Sequence, residues 1–240
     1  MDDHQTNRTD PDHRATETPE EGIGRAFMHQ LLTVPEGRQL MLSISVDAEE
    51  GDESGVFDQL AALVEDPALR RVVETHRDDE VRHASLFRGC LARNGWEKLE
   101  IPDEMRVIRE VGADADPRDR AITTEADIVT AYALLRVIEE RGVQRFGHIA
   151  DAFRPHDPET ADTYEQVLRD ERGHIRYCDR VGRHYAGTDE AWAAAIEVAR
   201  GREGDAFGRV GVATLLYAQQ RGWVDVDALL AEFAPTTTTT

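Results

Sequence analysis

Lysine is almost missing from this chain. Lys98 is the only one in 240 residues, and every other fixed positive side chain is arginine. With 48 acidic residues against 28 basic ones, the formal net charge is −20 and the pI is near 4.8. Such a chain lacks the basic face that a nucleic-acid backbone or an anionic membrane requires, so neither is expected as a partner. Cysteine is scarce as well, and Cys90 and Cys178 alone build no disulfide framework. No apolar run approaches the roughly 20 residues of a membrane-crossing helix. The first residues hold no apolar signal-peptide core, so a cytoplasmic protein is expected. Strand-type alternation is missing too, which leaves an all-α fold; a hydrophobic content of 40% is enough for its core.

Start and stop signals divide the chain. Residues 1–18 are polar, charged and aperiodic, and read as a disordered tail. Thr18-Pro19-Glu20-Glu21 opens a short leading helix that runs to about Thr33. A long helical pattern follows from Pro35 to about Val64. Asp66-Pro67 caps the next, which stops at Gly95, and residues 96–122 form a long connection. Thr123-Thr124-Glu125 begins a third long helix that ends before Pro155; Asp157-Pro158-Glu159 begins a fourth that ends at Gly187. Each long helix is expected to reach about 43 Å at about 1.5 Å per residue. Short links within pairs and one long connection between them describe a four-helix bundle of two hairpins with one crossover. With the leading helix it occupies residues 19–187, followed by a C-terminal helical extension over 188–234 and a second disordered tail over 235–240.

One motif occurs in each half: Asp79-Glu80-Val81-Arg82-His83 and Asp170-Glu171-Arg172-Gly173-His174. Residues three apart are neighbours on a helix, so each Glu-x-x-His puts a carboxylate and an imidazole on one face. A chain with 24 Glu and 9 His holds about one such pair by chance. Context carries the weight instead. Glu139 interrupts an apolar stripe of Ile128, Tyr132, Leu135, Val143 and Phe146. Glu80 and His83 share a face with Val73, His76, Phe87 and Cys90, and Glu171 and His174 share one with Tyr164, Val167, Cys178 and Val181. A carboxylate on an apolar face is costly unless paired or bound to metal. On the first long helix Glu49, Glu50 and Glu53 compete for the matching role. Glu50 is preferred, because it precedes Glu80 by 30 residues and Phe57 by seven, much as Glu139 precedes Glu171 by 32 and Phe146 by seven. His76 reads as a core or supporting histidine, and Cys90, Cys178, Tyr132 and Tyr164 as core packing.

Glu50, Glu80-x-x-His83, Glu139 and Glu171-x-x-His174 resemble the ligand pattern of the ferritin-like di-iron carboxylate superfamily, over about residues 35–187. The resemblance implies that Glu80 and Glu171 bridge two metals, that Glu50 and Glu139 are terminal ligands, and that His83 and His174 each bind one iron. The Asp-Glu-x-Arg-His form of the first motif is similar to that of di-iron oxygenases, where the Asp orients a ligating His. That role falls here to Asp79 and Asp170. The second motif departs, with Gly173 in place of Arg. Phe57 and Phe146 stand where many ferritin-like members have Tyr, so no redox-active phenol is expected there. Carboxylates and imidazoles suit two iron ions, or manganese, whereas a structural zinc site favours cysteine.

The expected function is O₂ activation by an oxidase or oxygenase acting on a small organic substrate, with an unidentified electron donor and room for a homodimer. Ferroxidase, iron-storage or rubrerythrin-like peroxide handling is the alternative, weakened by the lack of a Cys-x-x-Cys pair and by tail and extension lengths unsuited to a cage subunit. A metal-free helical interaction module is the third.

Overall fold

The computed structural model describes residues 19–50, 55–111 and 121–233. Every regular element among them is helical. The helices are α1 (Pro19–Leu32), α2 (Pro35–Glu49), α3 (Val56–Leu63), α4 (Pro67–Arg93), α5 (Val107–Val111), α6 (Glu125–Phe153), α7 (Pro158–Ala186), α8 (Asp189–Gln220) and α9 (Val226–Glu232), with one 3₁₀ turn at Asp103–Met105. None of the described helices is long and apolar enough to cross a membrane. Both expected terminal tails lie outside the described residues.

The caps explain the boundaries. Asp66 accepts from the backbone N–H groups of Ala68 and Leu69 at 2.7 and 3.1 Å, with Pro67 at the first helical position. Thr124 and Asp127 form a reciprocal capping box at the start of α6. Asp157 caps α7, which ends at Gly187 in a left-handed conformation (φ 76°) that favours glycine.

The expected continuous helix from Pro35 to Val64 does not form. α2 stops at Glu49, and α3 starts after Gly55, whose φ of 62° is left-handed. Gly51, Asp52, Ser54 and Gly55 crowd five positions, a breaker cluster that outweighs the apolar periodicity on either side. The long connection carries structure of its own: the 3₁₀ turn and α5 pack on α8.

Two apolar clusters fill the interior, one at each end of the long helices. The first joins Met41, Leu42 and Val46 of α2 with Phe87 and Leu91 of α4, Ile149 and Phe153 of α6, and Tyr164 and Val167 of α7. The second joins Phe57 and Leu60 of α3 with Leu69 and Val73 of α4, Ile128 and Tyr132 of α6, and Cys178 and Val181 of α7. Reading each helix from one cluster to the other gives its direction. α2–α3 runs from the first cluster to the second, α4 and α6 run back, and α7 runs forward again. α4 and α6 are therefore parallel, and the chain between them returns along the length of the molecule. α8 lies along α6 and adds Trp192 and Ile196 to one cluster and Ala218 to the other. Glu203 of α8, 1% exposed, is gripped by Arg141 of α6 through two bonds of 2.9 and 2.7 Å.

Candidate metal centre

Between the two clusters the helices place polar side chains. α4 contributes His76, Glu80 and His83, α6 contributes Glu139, α7 contributes Glu171 and His174, and α2 contributes Glu49. These positions fall midway along α4, α6 and α7, where turns on both sides hold the backbone. The three imidazoles are 0% exposed as residues, and the side chains of Glu49, Glu139 and Glu171 are 6%, 9% and 3% exposed.

Their donor atoms converge in overlapping groups. His76 Nε2, Glu80, Glu139 and His174 form one; Glu49, Glu80 and His83 form another; His83, Glu171 and His174 join them. His174 Nδ1 lies 3.0 Å from both Glu80 Oε1 and Glu171 Oε2. His83 Nδ1 lies 3.2 Å from Glu49 Oε2 and 3.3 Å from Glu171 Oε1. Glu80 and Glu171 thus reach both halves of the cluster, and His83 and His174 anchor opposite ends.

Five of the six ligand positions expected from the sequence meet here: Glu80, His83, Glu139, Glu171 and His174. Glu50 does not. It turns outward to form ion pairs with Arg88 and Lys98, and Glu49 takes its place. The cause is the helix break: with α2 ending at Glu49, spacing measured to Phe57 no longer reports the helical phase. The signal that finds Glu49 is local, because Leu42, Val46 and Glu49 share one buried face at positions i, i+4 and i+7. Glu53 lies outside the described residues. His76, read as a supporting residue, has its Nε2 2.9 Å from Glu139 Oε1 and 3.2 Å from Glu80 Oε1.

The flanking acids act across the motifs. Asp170 Oδ2 lies 3.4 Å from His83 Nε2, and Asp79 Oδ2 lies 3.5 Å from His174 Nε2. Each Asp therefore faces the histidine of the other motif, on the nitrogen that points away from the cluster. One guanidinium ties them together: Arg82 Nη2 donates to Asp79 Oδ1 at 2.8 Å and to Asp170 Oδ2 at 3.0 Å. The absence of a second arginine at Gly173 leaves neither acid without a cation. The Phe57 ring lies tilted against His76 with centroids 4.8 Å apart, while Phe146 packs on Phe87 and Tyr164 farther along the core. Tyr164 bonds Ser45 Oγ at 2.6 Å, and the buried Tyr132 hydroxyl has no hydrogen-bond partner.

The electrostatics show how much the cluster lacks positive charge. Burial, then the charge of Glu171, pushes the Glu139 carboxyl up to about 8. Burial and Glu80 raise Glu49 well above the usual carboxylate range. Burial works against the imidazolium of His83, yet Glu171 and Glu49 lift it to about 10. Burial also opposes ionisation of Glu171, but bonding with Glu139, His174 and His83 holds it at about 2. Protons are shared out because four buried carboxylates cannot all ionise without cations.

The donor set fits a pair of divalent ions. Four carboxylates balance the charge of two such ions, and carboxylate with imidazole is the donor chemistry of iron and manganese. Glu80 Oε1 is buried and makes no hydrogen bond, although two imidazole nitrogens stand close by. The other donors pair directly, His76 with Glu139, His83 with Glu49 and His174 with Glu171, and Glu80 Oε1 is left open to a further partner at the point where they converge. Compared with protein-family models, curated proteins and solved structures, the chain matches none of them.

Proposed function

We propose that this chain is a di-iron carboxylate protein of ferritin-like architecture that activates O₂ as an oxidase or oxygenase of a small organic substrate. The observation that carries this reading is the convergence of four buried carboxylates and three imidazoles from α2, α4, α6 and α7 at the middle of the core. The direction of those helices, with α4 parallel to α6, supports a four-helix bundle with one long crossover.

In this reading Glu80 and Glu171 would be shared between two ions, Glu139 and His174 would hold one of them, and Glu49 and His83 would hold the other. A ferrous pair bound there supplies the electrons for reducing O₂. The chain's own residues set the conditions. Asp79 and Asp170 orient the ligating histidines through their distal nitrogens and raise their basicity. The apolar clusters above and below exclude water, so each charge interaction inside is strong. Glu80, at 17% side-chain exposure, is the most open of the four carboxylates.

The test is the iron content of protein loaded anaerobically, followed by reduction and exposure to O₂. About two irons per chain and rapid O₂ consumption that disappears in Glu80→Ala support the reading. Bound iron that never consumes O₂ would sink the enzymatic part of it.

A further inference from the structure

The two halves of the cluster do not carry the same donors. His83 stands on one side with Glu49, Glu80 and Glu171. On the other, two imidazoles, His76 and His174, share Glu80 and Glu139. Their rings lie 4.2 Å apart between centroids, and His76 is held by Phe57 at 4.8 Å and Tyr177 at 6.1 Å.

Hydrogen bonding alone does not account for His76. His76 Nε2 is hydrogen-bonded to Glu139 Oε1 at 2.9 Å, and Glu80 Oε1 stands 3.2 Å from the same nitrogen outside hydrogen-bond geometry, while the other ring nitrogen is buried with no partner. Two further edges of the group are 3.0 Å from His174 Nδ1 to Glu80 Oε1 and 3.7 Å from His174 Nδ1 to Glu139 Oε1, and all four donor atoms lie within 4.8 Å of one another. Neighbouring donors about 2.0–2.2 Å from one ion stand about 2.8–3.6 Å from each other across octahedral and tetrahedral geometry. The observed edges scatter around that range.

We propose that His76 is a direct metal ligand, which makes the two positions unequal: the His76–His174–Glu80–Glu139 position takes the first divalent ion, and the position of His83 and Glu49 takes the second. This rests on the two-metal reading. The preference follows from donor chemistry, since imidazole strengthens binding of first-row divalent ions from iron onward in the affinity series. The contribution of His76 is moderate: its Nδ1 is buried without an acceptor, whereas His83 Nε2 is bonded to Asp170; His174 Nε2 makes no hydrogen bond but lies 3.5 Å from Asp79.

Cobalt(II) is the probe, titrated into metal-free full-length protein. Two ions per chain with the first tighter are expected. His76→Gln should weaken the first by about tenfold or more and leave the second within twofold. With one equivalent of cobalt bound to the unaltered protein, proton NMR should show two hyperfine-shifted imidazole N–H resonances, from His76 and His174. That measurement decides the matter even if His76→Gln fails to fold. A single such resonance, or cobalt affinities unchanged in a folded His76→Gln, would overturn the ligand assignment while two bound ions leave the two-metal reading standing. Fewer than two ions on the unaltered protein would sink the two-metal reading, and the ordered filling with it.

Discussion

The two helical hairpins each offer two carboxylates and a Glu-x-x-His imidazole on unequal backbones, and the first adds His76. In the second, α6 and α7 run unbroken for 29 residues each, and Glu139 projects from mid-helix. In the first, α2 ends at Glu49 itself. A carboxylate there sits at the negative end of the helix dipole, beside carbonyls that the helix leaves unpaired. Glu49 thus ionises against its own helix as well as against burial, and of the four acids it depends most on a bound cation. The comparison teaches that matching ligands do not make matching positions: the rigid hairpin presents a preformed half, and the broken one presents a half that metal must complete.

The largest expected effect erases the comparison. Glu80 touches both halves, so Glu80→Ala should abolish binding of both ions, read as metal content after equilibrium dialysis. Two retained ions would remove Glu80 from its bridging role. A smaller effect separates the hairpins. Glu49→Ala should cost one ion, while Glu50→Ala should leave two. The Glu50 pairs with Arg88 and Lys98 lie at the surface, so Glu50→Ala should shift stability by no more than about 1 kcal/mol. Loss of metal in Glu50→Ala and not in Glu49→Ala would reverse the assignment.

Acidity sharpens the contrast further. The raised His83 stabilises the metal-free protein fully below its unfolded value, and that contribution fades as pH climbs toward about 10. The raised Glu139 contributes stability at low pH that is lost as pH rises through about 8. The depressed Glu171 contributes stability at neutral pH that is lost as pH falls toward about 2. Thermal melts of metal-free protein should therefore peak near about pH 5 and decline on both sides. Bound divalent ions replace the protons of His83 and Glu139, so the rise in Tm on adding metal should be larger at pH 8 than at pH 6. An equal rise at both would show that metal binding displaces no protons there. Among the residues around the cluster the most modest effect belongs to Arg82→Ala, which should lower metal affinity by about tenfold, the usual size for a group behind the ligands. Unchanged affinity would make the Arg82 bridge a surface pair only.

Much of this was legible in residue order. Asp66-Pro67, Thr123-Thr124-Glu125 and Asp157-Pro158 open helices in the structure where their chemistry places them, and Asp127 adds a reciprocal cap to the second. Glu80, His83, Glu139, Glu171 and His174 come together as their stripes suggested, because mid-helix positions inherit a periodicity that extends over many turns. Glu49 was hidden because periodicity was carried across a breaker cluster, and a single non-helical turn resets the phase. His76 was hidden for a different reason. A histidine on an apolar face carries no mark of what lies opposite it, and only packing brings Glu139 from another helix to within 2.9 Å.

Arg82 carries a consequence for how such a molecule can be assembled. It stands where the two motifs meet, grasping Asp79 and Asp170 with one nitrogen, and the equivalent residue in the other hairpin is glycine. A dimer of two identical first hairpins would bring two guanidinium groups to that spot, and a dimer of two identical second hairpins would bring none. The chain therefore reads as a fused pair that has given up interchangeability. Each half now needs the other for its histidine's orientation as well as for its ligands, and splitting the chain in the 96–122 connection should yield halves that bind metal only when recombined.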